Sequence, residues 1–241
     1  MSKYFESFPL LSYNFGDNEN PSLFQNLTSY VDIVDGVKDD IAFYEKMTIE
    51  EYERPDTLSF KLYGTTDYYW TFFLLNDDLK RSGWPLSNRD LLIKAKTDYP
   101  NQVITTEDTI NNIFLPNDNV TGLVGGATGT VVKRYLDLGQ IVINNNGNFK
   151  VNERIRSAAD DFTYITSLRV TDQYLSVHHY EDANGNWIDI DPNDQIISSG
   201  TIPITYYDRM VQTNNNLKNI KILKREVAPQ IAANFKRSLL G

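Results

Sequence analysis

The side chains best suited to chemistry are few, and their spacing argues against a shared site. His178 and His179 are the only histidines. On a strand, adjacent residues point to opposite faces, so the pair is expected to serve neither as joint metal ligands nor as a base and its orienting partner. The run Asp182-Ala183-Asn184-Gly185-Asn186 begins like a calcium loop. Such a loop requires Gly at its sixth position and Glu at its twelfth, where this chain has Trp187 and Asn193. Asp189, Asp191 and Asp194 add oxygen atoms nearby, but acidic residues at a strand edge are an ordinary guard against aggregation. Gly122, Gly125, Gly126 and Gly129 lack the Lys-Ser/Thr of a phosphate loop and do not form G-x-G-x-x-G, so they read as turns between strands. Cysteine is absent, which removes disulfides, thiolate metal sites and a thiol nucleophile, and no G-x-S-x-G places a serine at a sharp turn. The expectation is no catalytic residue, no metal site, no cofactor and no small-molecule substrate.

The elements that position these residues belong to a chain rich enough in apolar groups to fold. Its 241 residues are 41% hydrophobic and include 15 Tyr, 12 Phe and 3 Trp, enough for one or two domains. No run of about 18 apolar residues marks a membrane span, and Glu6 and Pro9 interrupt the stretch where an export signal would lie. The net charge of -9 is uneven: from Arg209 onward there are seven Lys and Arg against the single acid Glu226. These bases alternate with Ile220, Ile222, Val227, Ile231 and Phe235, the pattern of an amphipathic segment's solvated face, so no nucleic acid is expected.

The predicted class is α+β. Residues 1–40 carry scattered aromatics without period and read as an extended N-terminal arm that packs by them. Ile41 to Tyr52 suits a strand. Asp56 is expected to cap a two-turn helix bearing Leu58, Leu62 and Tyr63 and closed by Gly64. A second helix, apolar nearly all round, follows through Tyr68, Tyr69, Trp70, Phe72, Phe73, Leu74 and Leu75, ending at Asn76-Asp77. Two short helices cannot bury all those faces alone, so some must meet another part of the chain or another chain. Leu91, Leu92 and Ile93 suit either a helix or a small sheet before Tyr99-Pro100. Residues 99–205 read as a β-rich insertion, with a meander over 120–156 and a tight type I′ hairpin at Asn184-Gly185. Residues 206–241 supply a C-terminal strand (Ile220, Ile222) and an amphipathic helix along Val227, Ile231, Phe235 and Leu239, with Pro229 in its first turn.

The segment Glu53-Arg-Pro-Asp-Thr-Leu-Ser-Phe-Lys-Leu-Tyr-Gly64, continued to Leu75-Asn76, resembles a LysM domain, a βααβ unit of about 50 residues. With Tyr69-Trp70 and Leu74-Leu75-Asn76, and with Asn216 to Lys224 before an amphipathic helix, it is similar to the baseplate wedge protein 53 family of T4-like contractile-tailed phages. Gly125 to Val132 with Gly147 to Glu153 resembles a small β motif of phage tail proteins. The resemblance implies a LysM-like core over residues 41–98 and a structural subunit of the virion tail baseplate, assembled in the host cytoplasm. Its implied partners are other baseplate wedge subunits and adjacent wedges, with no cofactor and no catalysis. Candidate partner contacts are Trp70, Phe72, Phe73, Trp84, Ile231, Phe235 and Leu239, since aromatic and aliphatic anchors carry most protein-binding energy. The alternative is a peptidoglycan-binding LysM module of a tail-associated protein.

Overall fold

The computed structural model describes residues 8–13, 22–26, 35–159, 162–190 and 200–240, the side chains of residues 35, 36, 146 and 238–240 excepted. The chain is α+β and divides into two compact units, residues 1–87 with 213–241, and residues 88–212.

In the first unit, β1 (Leu10–Tyr13) and β2 (Ser22–Gln25) form an antiparallel hairpin, followed by α1 (Asp35–Asp39) and β3 (Tyr44–Thr48). Then come α2 (Pro55–Tyr63), α3 (Trp70–Leu75) and α4 (Asp77–Ser82). The helix expected to be capped by Asp56 starts earlier, with Arg54 as N-cap and Pro55 in the first turn, where a missing N–H costs nothing. Thr57 Oγ1 accepts from the Arg54 N–H at 3.1 Å, the reciprocal half of a capping box, while the Asp56 carboxylate accepts from the Arg54 guanidinium instead of capping. Gly64 ends α2 in the left-handed region (φ 76°), its N–H donating to Phe60 O. The extended backbone of Asn76 breaks the following helix as anticipated, but α4 restarts at once, with Asp77 and Asp78 at its positive end.

The strand beside β3 arrives late in the chain. It is β14 (Asn219–Leu223), antiparallel to β3 with Asn219 opposite Thr48 and Leu223 opposite Tyr44. Ile220 and Ile222 point to one face and are buried with Ile49, Leu58, Phe72 and Leu79, which fixes the strand register through a shared core. α7 (Ala228–Leu240) follows and buries Ala228, Ala232 and Phe235.

The second unit opens with α5 (Asn88–Asp98), a helix in a stretch whose pattern suits helix and sheet alike. Its main sheet has seven antiparallel strands: β4 (Gln102–Thr105), β5 (Asn119–Gly122), β6 (Thr128–Tyr135), β7 (Gln140–Asn146), β8 (Arg154–Ser157), β9 (Tyr164–Thr166) and β10 (Arg169–Asp172). Their order is β10-β4-β7-β6-β5-β8-β9, so β9 and β10, consecutive in the chain, lie at opposite edges. Thr166 to Arg169 spans about 11 Å at most, whereas the outer strands of a flat seven-stranded sheet lie ~29 Å apart. The sheet must therefore curl until its edges approach. Ile104, Phe114, Val120, Val131, Ile141, Ile143, Ile155 and Ile165 fill the space it encloses. A smaller sheet, ordered β12-β11-β13, joins β11 (Val177–Glu181), β12 (Trp187–Ile188) and β13 (Ile202–Thr205) ahead of α6 (Tyr206–Lys218).

Gly129 corrects one expectation, since it lies inside β6 and not in a turn. A Cβ there would stand 2.4 Å from Ile143 Cγ2 and 2.9 Å from Asn144 O, so the neighbouring strand approaches because no side chain intervenes. Gly129→Ala is expected to cost about 1–3 kcal/mol by overpacking. Chemical denaturation of the two proteins would show it, and a difference below ~0.5 kcal/mol, the level of an unremarkable surface change, would refute the close packing.

Candidate functional site

The residues expected to reach partners are largely consumed inside the first unit. Phe72 has no exposed surface and stands between Tyr63, at 6.3 Å, and Trp84, at 5.9 Å between ring centroids. Trp70 is buried against Phe235, 4.8 Å away, in a cluster that also takes in Phe8 and Ala232. Phe73 and Trp84 are partly buried beside each other, and Trp84 Nε1 donates to Glu53 O at 2.7 Å. Ile231 packs on Leu75, Leu223 and Ala228. Leu239 falls in the last turn of α7, and its side chain lies outside the described residues. The aromatic helix is thus covered by β14 and α7, some 150 residues further along. Periodicity shows that a face is apolar but never names what covers it.

Two polar side chains lock this arrangement. The Tyr63 hydroxyl donates to Leu223 O at 2.9 Å, and burial pushes its pKa well above the usual tyrosine range. Asn76 does more: its Nδ2 donates to Phe72 O and to Lys221 O, both at 2.8 Å, and its Oδ1 accepts from the Lys221 N–H at 2.8 Å. One amide therefore caps the end of α3 and pairs with β14 as a further strand residue would.

What the first unit leaves outside is different in kind. Every residue of β1 and of β2 is exposed, including Leu10 (63%), Leu11 (50%) and Leu23 (65%), with Tyr13 and Phe24 beside them. The register sets Leu11 opposite Phe24 and Ser12 opposite Leu23, so apolar side chains occupy both faces of the ribbon. Of the arm's aromatics, Phe8 packs inward on Trp70 and Phe235, while Tyr4, Phe5, Phe15 and Tyr30 lie outside the described residues.

In the second unit the histidine pair contradicts its expected separation. A β-bulge falls between Val177 and His179, so the two residues no longer alternate. Their Nδ1 atoms stand 2.9 Å apart, His179 Nε2 is 2.9 Å from Glu181 Oε1, and Arg209 Nη1 is 2.7 Å from His178 Nε2. The Trp187 ring stacks on His179 at 4.1 Å. A bulge has no dependable sequence signal, which is why strand alternation misleads at this pair.

The Asn184-Gly185 hairpin also differs from the tight form expected. Its connection runs from Asp182 to Asn186, and the Asp182 carboxylate accepts from the backbone N–H groups of Asn184 and Asn186. These bonds hold the Asp182 carboxyl below the usual carboxylate range, the Asn186 side-chain and backbone donors first. Among the described residues no three His, Cys, Asp or Glu side chains converge as a metal site would need. Asp191 and Asp194 lie outside the described residues. No protein-family model matches the chain, and no curated protein matches it.

Proposed function

We propose that this protein is a structural subunit of a contractile phage-tail baseplate wedge, binding other wedge subunits and neighbouring wedges through its N-terminal arm. The observation that carries the reading is the β1–β2 pair, apolar on both faces and exposed along both strands. A two-stranded ribbon has no core of its own, and an apolar patch left in water is characteristic of a protein-contact surface. Support for a LysM-like core comes from β3, α2, α3 and β14, which make a βααβ unit whose last strand follows a long insertion. The residues that carry the resemblance have structural work there: Gly64 turns the chain out of α2, Tyr63 reaches Leu223, and Asn76 holds β14.

The test is recovery of tagged protein from a lysate of phage-infected host, with mass spectrometry of what accompanies it and insoluble peptidoglycan tried in parallel. Other baseplate subunits are expected in the eluate. Retention on peptidoglycan without phage partners would replace this reading with cell-wall binding. The double variant Leu11→Asp with Leu23→Asp, one change on each face of the ribbon, is expected to change stability by no more than about 0.5 kcal/mol. It should nonetheless lose the baseplate subunits, and their undiminished recovery would exclude the hairpin as the contact. Phe235 is unsuited to this test because its burial against Trp70 makes any polar replacement a folding defect.

A further inference from the structure

The order of donors along the histidine pair is fixed by its two ends. Arg209 on α6 is always protonated and donates, so His178 Nε2 must be an acceptor without hydrogen. A neutral His178 then carries its proton on Nδ1 and donates it to His179 Nδ1. That leaves the proton of His179 on Nε2, pointing at the Glu181 carboxylate. The result is a one-way chain from Arg209 through His178 and His179 to Glu181, and it admits no additional proton. A proton added at His179 Nδ1 faces the N–H of His178, and one added at His178 Nε2 faces the N–H of Arg209.

We propose that this chain is an acid-operated latch, in which uptake of one proton by the histidine pair breaks its link to Arg209 and releases β12, with Trp187, from the first turns of α6. β11 itself is tied to α6 in other ways, by its pairing with β13, which runs directly into α6, and by the Tyr206 N–H donating to Ser176 O, so the piece the latch holds is β12 with Trp187, whose ring lies 5.9 Å from the Arg209 guanidinium. β12 is two residues long and pairs only with β11 among the described residues, and Trp187 is stacked on His179 while 63% exposed. The groups facing His178 are Arg209 and Tyr206 from α6, Trp187 from β12, His179 from its own strand and the positive charge of Lys133 from β6. Glu181 is the acid facing His179. Burial, then the charges of Arg209, His179 and Lys133, hold His178 below its ordinary value of 6.5. The unfolded chain therefore binds more protons below pH 6.5. The stabilisation is complete above that pH and is lost as the pH falls through the lower folded value.

Nitrogen-15 NMR of the wild-type chain at pH 7.5 tests the tautomers directly, with His178 expected as the Nδ1–H form and His179 as the Nε2–H form. On titration toward pH 5, amide protection factors in β12 should fall at least tenfold as His178 gains its proton, while those of β13, β4, β6 and β7 hold. Replacing both histidines by glutamine should abolish this pH dependence. Reversed tautomers, protection that survives protonation, or a wild-type profile in the double variant would overturn the latch. If the double variant does not fold, the wild-type titration decides alone.

Discussion

Asn76→Asp is expected to destabilise the first unit by about 3–5 kcal/mol, and Asn76→Ala by about 2–3 kcal/mol. The alanine variant loses three hydrogen bonds and leaves Phe72 O and the Lys221 N–H and C=O groups to find other partners in a half-buried setting. The aspartate variant keeps the acceptor for the Lys221 N–H, so counting bonds alone would make it milder. It is expected to be worse because its second oxygen replaces Nδ2, which donates to two carbonyl oxygens at 2.8 Å. A carboxylate there turns two attractions into two repulsions in a place that water reaches poorly. Urea unfolding followed by Trp70 and Trp84 fluorescence, with Trp187→Phe as background, reads the unit that holds both indoles. Equal stability of the two variants would mean that the carboxylate meets no repulsion there, and wild-type stability in both that Asn76 only fills space.

Much of this arrangement is legible in the sequence, because it depends on local pattern. The alternation at Ile220 and Ile222, the repeat at Ile231 and Phe235, and Gly64 after Tyr63 all specify their conformation within a few residues. What pattern cannot supply is the identity of the neighbour. Trp70, Phe72 and Phe73 make a helix too apolar for its own pair of helices, and sequence leaves two remedies open, a partner chain or a distant segment. The structure uses β14 and α7, so the apolar surface left in water lies instead at Leu10, Leu11 and Leu23, which no period marks. The histidines depart from pattern for another reason: alternation holds only while the ladder is regular, and a single bulge between Val177 and His179 reverses the geometric conclusion. The curl of the large sheet is equally hidden, since its closure follows from the order of pairing and not from the composition of any strand.

Glu153→Ala is expected to cost about 3–5 kcal/mol in the second unit. The carboxylate is buried, yet its neighbours are backbone donors: Oε2 accepts from the N–H groups of Val124 and Gly125, and Oε1 from that of Lys150. Burial pushes its pKa up, but those donors and the Lys150 charge outweigh it and hold the group below its ordinary 4.5. A depressed carboxyl stabilises fully above pH 4.5, and that share is lost as the pH falls through the folded value. Glu153→Ala should therefore lie well below wild type at neutral pH and converge on it in acid, a window distinct from that of the histidine latch. Gly122 supplies the sharper test, because a Cβ there would stand 2.7 Å from Glu153 Oε2. Glycine is thus required at the end of β5 by the carboxylate, and Gly122→Ala should destabilise the wild type more than it destabilises Glu153→Ala. A double-mutant cycle is expected to give a coupling of about 1 kcal/mol or more, and strict additivity would mean that the glycine answers to the backbone alone.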